Sequence, residues 1–132
     1  MARLFACYQN FDDELASLPG KYAAPTGRLL LARVDDAPAA CGAIRQLEPS
    51  VCEMKRLFVK PEFRGRGIGR RLVEKLVDDA RDLGYWAMRL DTVAEKMGDA
   101  VRLYKALGFY EIPAYYPNAL AGTRYFELRL RD

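Results

Sequence analysis

Apolar residues recur at helical spacing between residues 68 and 83, where Ile68, Leu72, Val73, Leu76, Val77, Ala80 and Leu83 form one stripe with charged residues opposite. This predicts an amphipathic helix, and Gly84 stands in the C-cap position that closes it. A shorter stripe, Ala100, Leu103, Tyr104 and Leu107, predicts a second helix ending at Gly108. The first twenty residues also read as helical, with Phe11, Leu15 and Leu18 on one face and Pro19-Gly20 as the stop. Strands are predicted over 28–34, 39–46, 51–59, 85–91, 109–112 and 123–130, with turn chemistry at Asp35-Asp36-Ala37-Pro38. Within 51–59, Cys52, Met54, Arg56 and Phe58 fall on one face and Val51, Glu53, Lys55, Leu57 and Val59 on the other. Strands first, then alternating strands and helices, predict an α+β fold: a mixed β-sheet flanked by helices.

The chain of 132 residues is long enough to bury about two-thirds of its unfolded surface in one core, without disulfides or a structural metal. No internal repeat or long linker interrupts it, so residues 1–132 are expected to form a single domain. Half the residues are hydrophobic (51%) and 30% are charged, a globular composition. No apolar run approaches the roughly 18 residues of a membrane span, and residues 1–10 lack a signal pattern. The expectation is a soluble, cytoplasmic protein with no membrane partner.

Cys7, Cys41 and Cys52 make an odd count with no Cys-x-x-Cys spacing, and buried free thiols are expected in preference to a catalytic one. There is no histidine, which excludes Ser-His and Cys-His dyads and His-containing metal sites. No metal is expected, and any proton transfer falls to Glu, Asp, Lys, Tyr, Cys or water. The net charge of +3 is local, since residues 60–71 carry +4 and the remainder −1. So compact a patch suits a few phosphates, and no nucleic-acid partner is expected.

The patch contains Arg64-Gly65-Arg66-Gly67-Ile68-Gly69-Arg70, placed between a predicted strand and the start of the amphipathic helix. First-turn amides there are unpaired and carry the positive end of the helix dipole, while glycines let phosphate oxygens approach the backbone. The pattern is neither a Walker A loop, lacking Gly-Lys-Ser/Thr, nor Gly-x-Gly-x-x-Gly. A pyrophosphate cradle is the expected role.

Two motifs carry a resemblance to a known family. Arg64-Gly65-Arg66-Gly67-Ile68-Gly69 is similar to the Arg/Gln-x-x-Gly-x-Gly/Ala signature of the GNAT N-acetyltransferases, and Leu103-Tyr104-Lys105-Ala106-Leu107-Gly108-Phe109 resembles their Leu-Tyr-x-x-x-Gly-Phe signature. The resemblance runs from about residue 29 to the C-terminus. It implies transfer of an acetyl group from acetyl-CoA, a cosubstrate, to a primary amine of a small molecule or peptide, by direct attack in a ternary complex. It implies cofactor binding by residues 64–70 (Arg64, Gly65, Arg66, Gly67, Ile68, Gly69, Arg70) and by backbone groups of Phe58 and Val59. Tyr104 matches the family's thiolate acid, its alternative being a core tyrosine. Glu53, six residues before Val59, matches the base of some members, its alternative being a salt bridge with Lys55 or Arg56. For Asp91 and Glu95 a surface or helix-capping role is expected ahead of a place facing the site, since Thr92-Val93-Ala94-Glu95 fits a capping box.

Two features depart from the family pattern. Met97 stands seven residues before Tyr104, where Asn is usual, and the usual first strand is missing, leaving six strands with an altered edge. Truncation or a partner chain, as in a homodimer, would account for that edge. The alternative function is a non-catalytic acyl-CoA-sensing domain. Tyr115, Tyr116, Pro117 and Asn118 lie where many members build the acceptor pocket, as pocket wall or as simple packing.

Overall fold

The computed structural model describes residues 26–93, 98–117 and 121–131. The helix expected in the first twenty residues, the missing first strand, Cys7, Glu95, Met97 and Asn118 lie outside them. The described chain runs β1 (Arg28–Val34), β2 (Ala37–Glu48), β3 (Val51–Val59), a 3-10 turn (Pro61–Phe63), α1 (Ile68–Asp82), β4 (Ala87–Val93), α2 (Gly98–Ala106), β5 (Tyr110–Ile112) and β6 (Thr123–Arg129). These strands form one six-stranded sheet in the order β1-β2-β3-β4-β6-β5. Only β3 and β4 are parallel neighbours, and α1 supplies the crossover between them.

Local chemistry explains most boundaries. Asp35 and Asp36 have φ of 50° and 67°, the two left-handed positions of a tight hairpin turn, so Ala37 and Pro38 already belong to β2. The strand predicted over 85–91 begins instead at Ala87. Tyr85 is a core residue whose hydroxyl donates to the Thr26 carbonyl at 2.5 Å. Thr92 and Val93 both lie within β4, so the capping-box expectation fails at its first residue.

Both described helices pack on the same face of the sheet. Val73, Leu76, Val77 and Ala80 of α1 and Val101 and Tyr104 of α2 share one core with Ile44, Met54, Met88, Leu90 and Phe126. Gly42 lets α1 approach β2 closely: a Cβ there would lie 3.0 Å from a Leu76 methyl. The predicted alternation of β3 holds for Cys52 and Met54 but fails beyond Lys55. Arg56 has φ of 60°, and between Cys41↔Phe58 and Ala43↔Lys55 the partner strand advances two residues while β3 advances three. The extra residue is a β-bulge that flips the register, so Leu57, rather than Arg56 or Phe58, joins the helix-side core. No helix among the described residues is long and apolar enough to cross a membrane.

Leu76 is fully buried where the closest contact of α1 with the sheet is made. Leu76→Ala is expected to destabilise the fold by about 2–5 kcal/mol, measured as a lowered urea midpoint at unchanged slope. A midpoint within experimental error of wild type would contradict this packing.

Candidate active site

The sheet is opened by its one parallel pair. β3 and β4 are paired at Val51↔Ala87, Cys52↔Met88 and Glu53↔Arg89, and no pair follows. β3 continues along β2 to Ala40↔Val59, while β4 continues along β6 to Val93↔Thr123. A wedge therefore opens beyond Glu53 and Arg89, lined by backbone of 54–59 and 90–93 that has no strand partner on that side. It widens toward the C-terminal ends of both strands, where β3 leads into the arginine-glycine loop and α1.

On the face away from α1 and α2, the row across the wedge throat is charged. Arg45, Glu53, Arg89, Glu127 and Tyr110 are successive cross-strand partners on β2, β3, β4, β6 and β5. Arg45 meets Glu53 at 2.9 Å and Arg89 meets Glu127 at 2.9 Å, and the Tyr110 hydroxyl donates to Glu127. Opposite charges facing one another across strands contribute roughly 0.2–1 kcal/mol each.

Glu53 is fully buried, which for an unpaired carboxylate would be prohibitive. Its Oε1 accepts from Arg45 Nε at 3.0 Å and the Tyr116 hydroxyl at 2.8 Å, its Oε2 from the Tyr115 hydroxyl at 2.8 Å, and Lys55 Nζ stands 3.6 Å away. Arg45 also donates to the Tyr116 hydroxyl at 2.6 Å. Lys55 belongs to the expected ion pair, but the shorter contact is with Arg45, from the neighbouring strand. Burial and the Glu53 carboxylate hold both tyrosines protonated, pushing Tyr115 well above its ordinary range and Tyr116 to about 12.

Two residues further along β4, past the throat, Asp91 is paired with Lys55 across the wedge at 3.4 Å, with its side chain 28% exposed. Tyr104 lies on the helix side, its ring 5.7 Å from Phe109 and 6.4 Å from Phe126. Burial first, and Asp91 second, raise its phenol well above the ordinary tyrosine range. Cys41 and Cys52 are buried thiols, the Cys41 Sγ donating to the Arg56 carbonyl at 3.2 Å, and burial pushes Cys52 up to about 12, leaving it neutral and unreactive.

At the wedge mouth, Arg64 Nε donates to the Val59 carbonyl at 2.9 Å and its guanidinium lies 5.6 Å from the Phe58 ring. Arg66 lies 5.3 Å from the Phe63 ring. Gly65 and Gly67 have φ of 80° and 77°, and a Cβ at either would meet nothing within 4 Å, so the space beside both glycines is open. Gly67 is also the N-cap of α1 and supplies no side-chain acceptor to its first-turn amides. Gly69 packs against Val59, a Cβ there lying 3.4 Å from a Val59 methyl.

Of the residues singled out in the sequence, Phe58, Val59 and 64–70 are thus brought together at one end of the wedge. Glu53 stands at the other end, and Tyr104 on the opposite face from Glu53. Sequence reasoning missed Arg45 as the partner of Glu53 and the two tyrosine hydroxyls that reach it. It also ranked Asp91 below Glu53, although Asp91 is the more exposed carboxylate.

The acetyltransferase (GNAT) family model matches residues 2–109 of this chain. An uncharacterized N-acetyltransferase of Schizosaccharomyces pombe is 42% identical over 125 residues, covering 93% of this chain and 76% of its own length. The fold is similar to that of a GNAT-family acetyltransferase from Staphylococcus aureus (TM-score 0.78, 22% identity, 91% of this chain and 78% of that one). It is similar, too, to a Salmonella typhimurium structure described with its cofactor acetyl-CoA (TM-score 0.76, 19% identity, 93% and 75%). This chain belongs to the GNAT family and is an acetyltransferase.

Removing the guanidinium from the enclosed Glu53 leaves a buried carboxylate short of its principal cation. Arg45→Met is expected to cost about 3 kcal/mol in urea unfolding. Arg70→Met, which removes only the exposed 3.6 Å pair with Glu74, should stay within about 0.5 kcal/mol. Equal effects of the two substitutions would contradict the burial of the Arg45–Glu53 pair.

Proposed function

We propose that this chain transfers the acetyl group of acetyl-CoA to a primary amine by direct attack within a ternary complex. The observation that carries this reading is the wedge between β3 and β4. Its unpaired backbone leads from the open glycine loop at one end to a pair of carboxylates at the other. The loop suits a pyrophosphate: the arginines of 64–70 supply charge, and Gly65 and Gly67, with left-handed φ and open space where a Cβ would stand, leave room for phosphate oxygens beside the backbone. Backbone groups of Phe58 and Val59, at the end of β3, are the donors and acceptors available to the thioester arm.

Attack by an amine requires loss of its proton, then formation of the C–N bond as the C–S bond breaks, with a proton supplied to the leaving thiolate. The resemblance assigns the first step to Glu53, and the geometry supplies a second carboxylate for it. Both oxygens of Glu53 are engaged and the residue is fully enclosed, whereas Asp91 is more than a quarter exposed and shares Lys55 with it. Asp91 is therefore the group an acceptor ammonium meets, and it takes the proton and passes it to solvent. Tyr104, held protonated by burial and by Asp91, gives its proton to the departing thiolate and recovers one from solvent. The cytoplasm, with its supply of acetyl-CoA, is the compartment this activity fits.

Three measurements test these roles. At about 100 times its Kd, CoA should add about 2.7 kcal/mol of stability, and Gly67→Val should abolish the resulting rise in Tm, because valine tolerates neither the left-handed φ nor a phosphate at its Cβ. An undiminished shift in Gly67→Val would remove the loop from the site. Asp91→Asn should lower kcat on the order of 100-fold at neutral pH, recovering as pH approaches the amine's own pKa of about 10; a pH-independent loss would deny it the proton. Tyr104→Phe should lower kcat at every pH with CoA affinity unchanged, and full turnover would make it a packing residue only.

A further inference from the structure

Resting on the acetyl-transfer reading above, we infer that Glu53 is a positioning residue, a clasp that seats the Tyr115–Tyr116 segment as the acceptor-side wall of the wedge and so sets acceptor affinity. Residues 113–117 have no regular secondary structure, so no backbone ladder fixes them on the sheet. Side chains do so instead, and they converge on one carboxylate. Each Glu53 oxygen accepts one tyrosine hydroxyl at 2.8 Å, and Arg45 holds both Glu53 and the Tyr116 hydroxyl. The rings are fixed by their neighbours. Tyr115 lies 4.8 Å from Tyr116, meets Tyr125 edge-on at 5.0 Å and lies 5.5 Å from the Arg89 guanidinium, while Lys55 Nζ stands 5.3 Å from the Tyr116 ring.

The placement matters because Lys55 is also the partner of Asp91. Seating Tyr116 against Lys55 places the aromatic wall beside the carboxylate that faces the wedge. Both tyrosine hydroxyls are turned inward onto Glu53, so the wall offers an acceptor ring surface and the neighbouring Asp91–Lys55 pair in place of hydroxyls. A carboxylate committed to two hydroxyls and an arginine gives shape to the site and exchanges no proton with the acceptor. The two carboxylates thus divide the work, with Asp91 meeting the amine and Glu53 holding the wall.

Limited chymotryptic cleavage of the Tyr115–Tyr116 bond, followed by mass spectrometry on the unliganded protein, reads the clasp without reference to activity. Glu53→Gln and the double variant Tyr115→Phe/Tyr116→Phe should each accelerate that cleavage at least tenfold; the double variant keeps both rings and serves if Glu53→Gln folds poorly. Cleavage at the wild-type rate in both would overturn the clasp. In turnover, both variants should raise the acceptor KM about tenfold, with kcat following the wild-type pH profile and CoA affinity unchanged. Combining them should add nothing further. A Glu53→Gln enzyme with normal KM, whose kcat is lost at neutral pH and regained at high pH, would show Glu53 to be the proton acceptor and overturn the inference. If wild-type protein acetylates no amine while the cleavage rates still diverge, the clasp stands and the acetyl-transfer reading falls.

Discussion

The structure depends on one broken pairing. β3 and β4 each keep a second neighbour along most of their length, β2 for the former and β6 for the latter, and can satisfy one another for three residues only. The bulge at Arg56 turns β3 further from a regular ladder. The sheet thus contains, at its centre and not at its rim, a length of backbone whose polar groups must be met by water or by a ligand. Because the two strands are parallel, the opening lies at their carboxyl ends, where the α1 N-terminus and the glycine loop are delivered by the same crossover.

The two faces of the sheet divide the remaining work. The helix face is apolar and buried, and it holds Tyr104 in surroundings that keep its phenol protonated. The other face carries the alternating row of Arg45, Glu53, Arg89 and Glu127, with each charge facing its opposite. Such a row is costly to bury singly and tolerable collectively, and it fixes the throat of the wedge through paired charges. Asp91 is felt from both sides, paired with Lys55 on one and raising the Tyr104 phenol on the other.

Much of this was legible in the chain. The stripe of α1, the Asp35-Asp36 turn, the bounds of β1 and β3 and the open glycine loop all follow from local chemistry, since periodicity and turn residues act over a few positions. The misses share a different cause. Counting back from the Pro49-Ser50 turn would set Glu53 opposite Gln46, but a one-residue irregularity between Gln46 and Glu48 brings Arg45 there instead. The second irregularity, at Arg56, breaks the strict alternation of β3 and puts Leu57 on the same side as Cys52 and Met54. Bulges leave little trace in composition, and Tyr115 and Tyr116 reach Glu53 from 62 and 63 residues away. Whether a carboxylate is enclosed or open is decided by such long-range contacts, so Glu53 and Asp91 could not be ranked from spacing.

The most direct test is release of free CoA thiol from acetyl-CoA by the purified protein against a panel of primary amines, with mass spectrometry of the products. Amine-dependent thiol release, matched by one acetyl group on the amine, is the predicted result. Saturable acetyl-CoA binding with no amine-dependent thiol release across small amines, amino acids and peptide N-termini would contradict it, leaving a domain that binds the cosubstrate without using it.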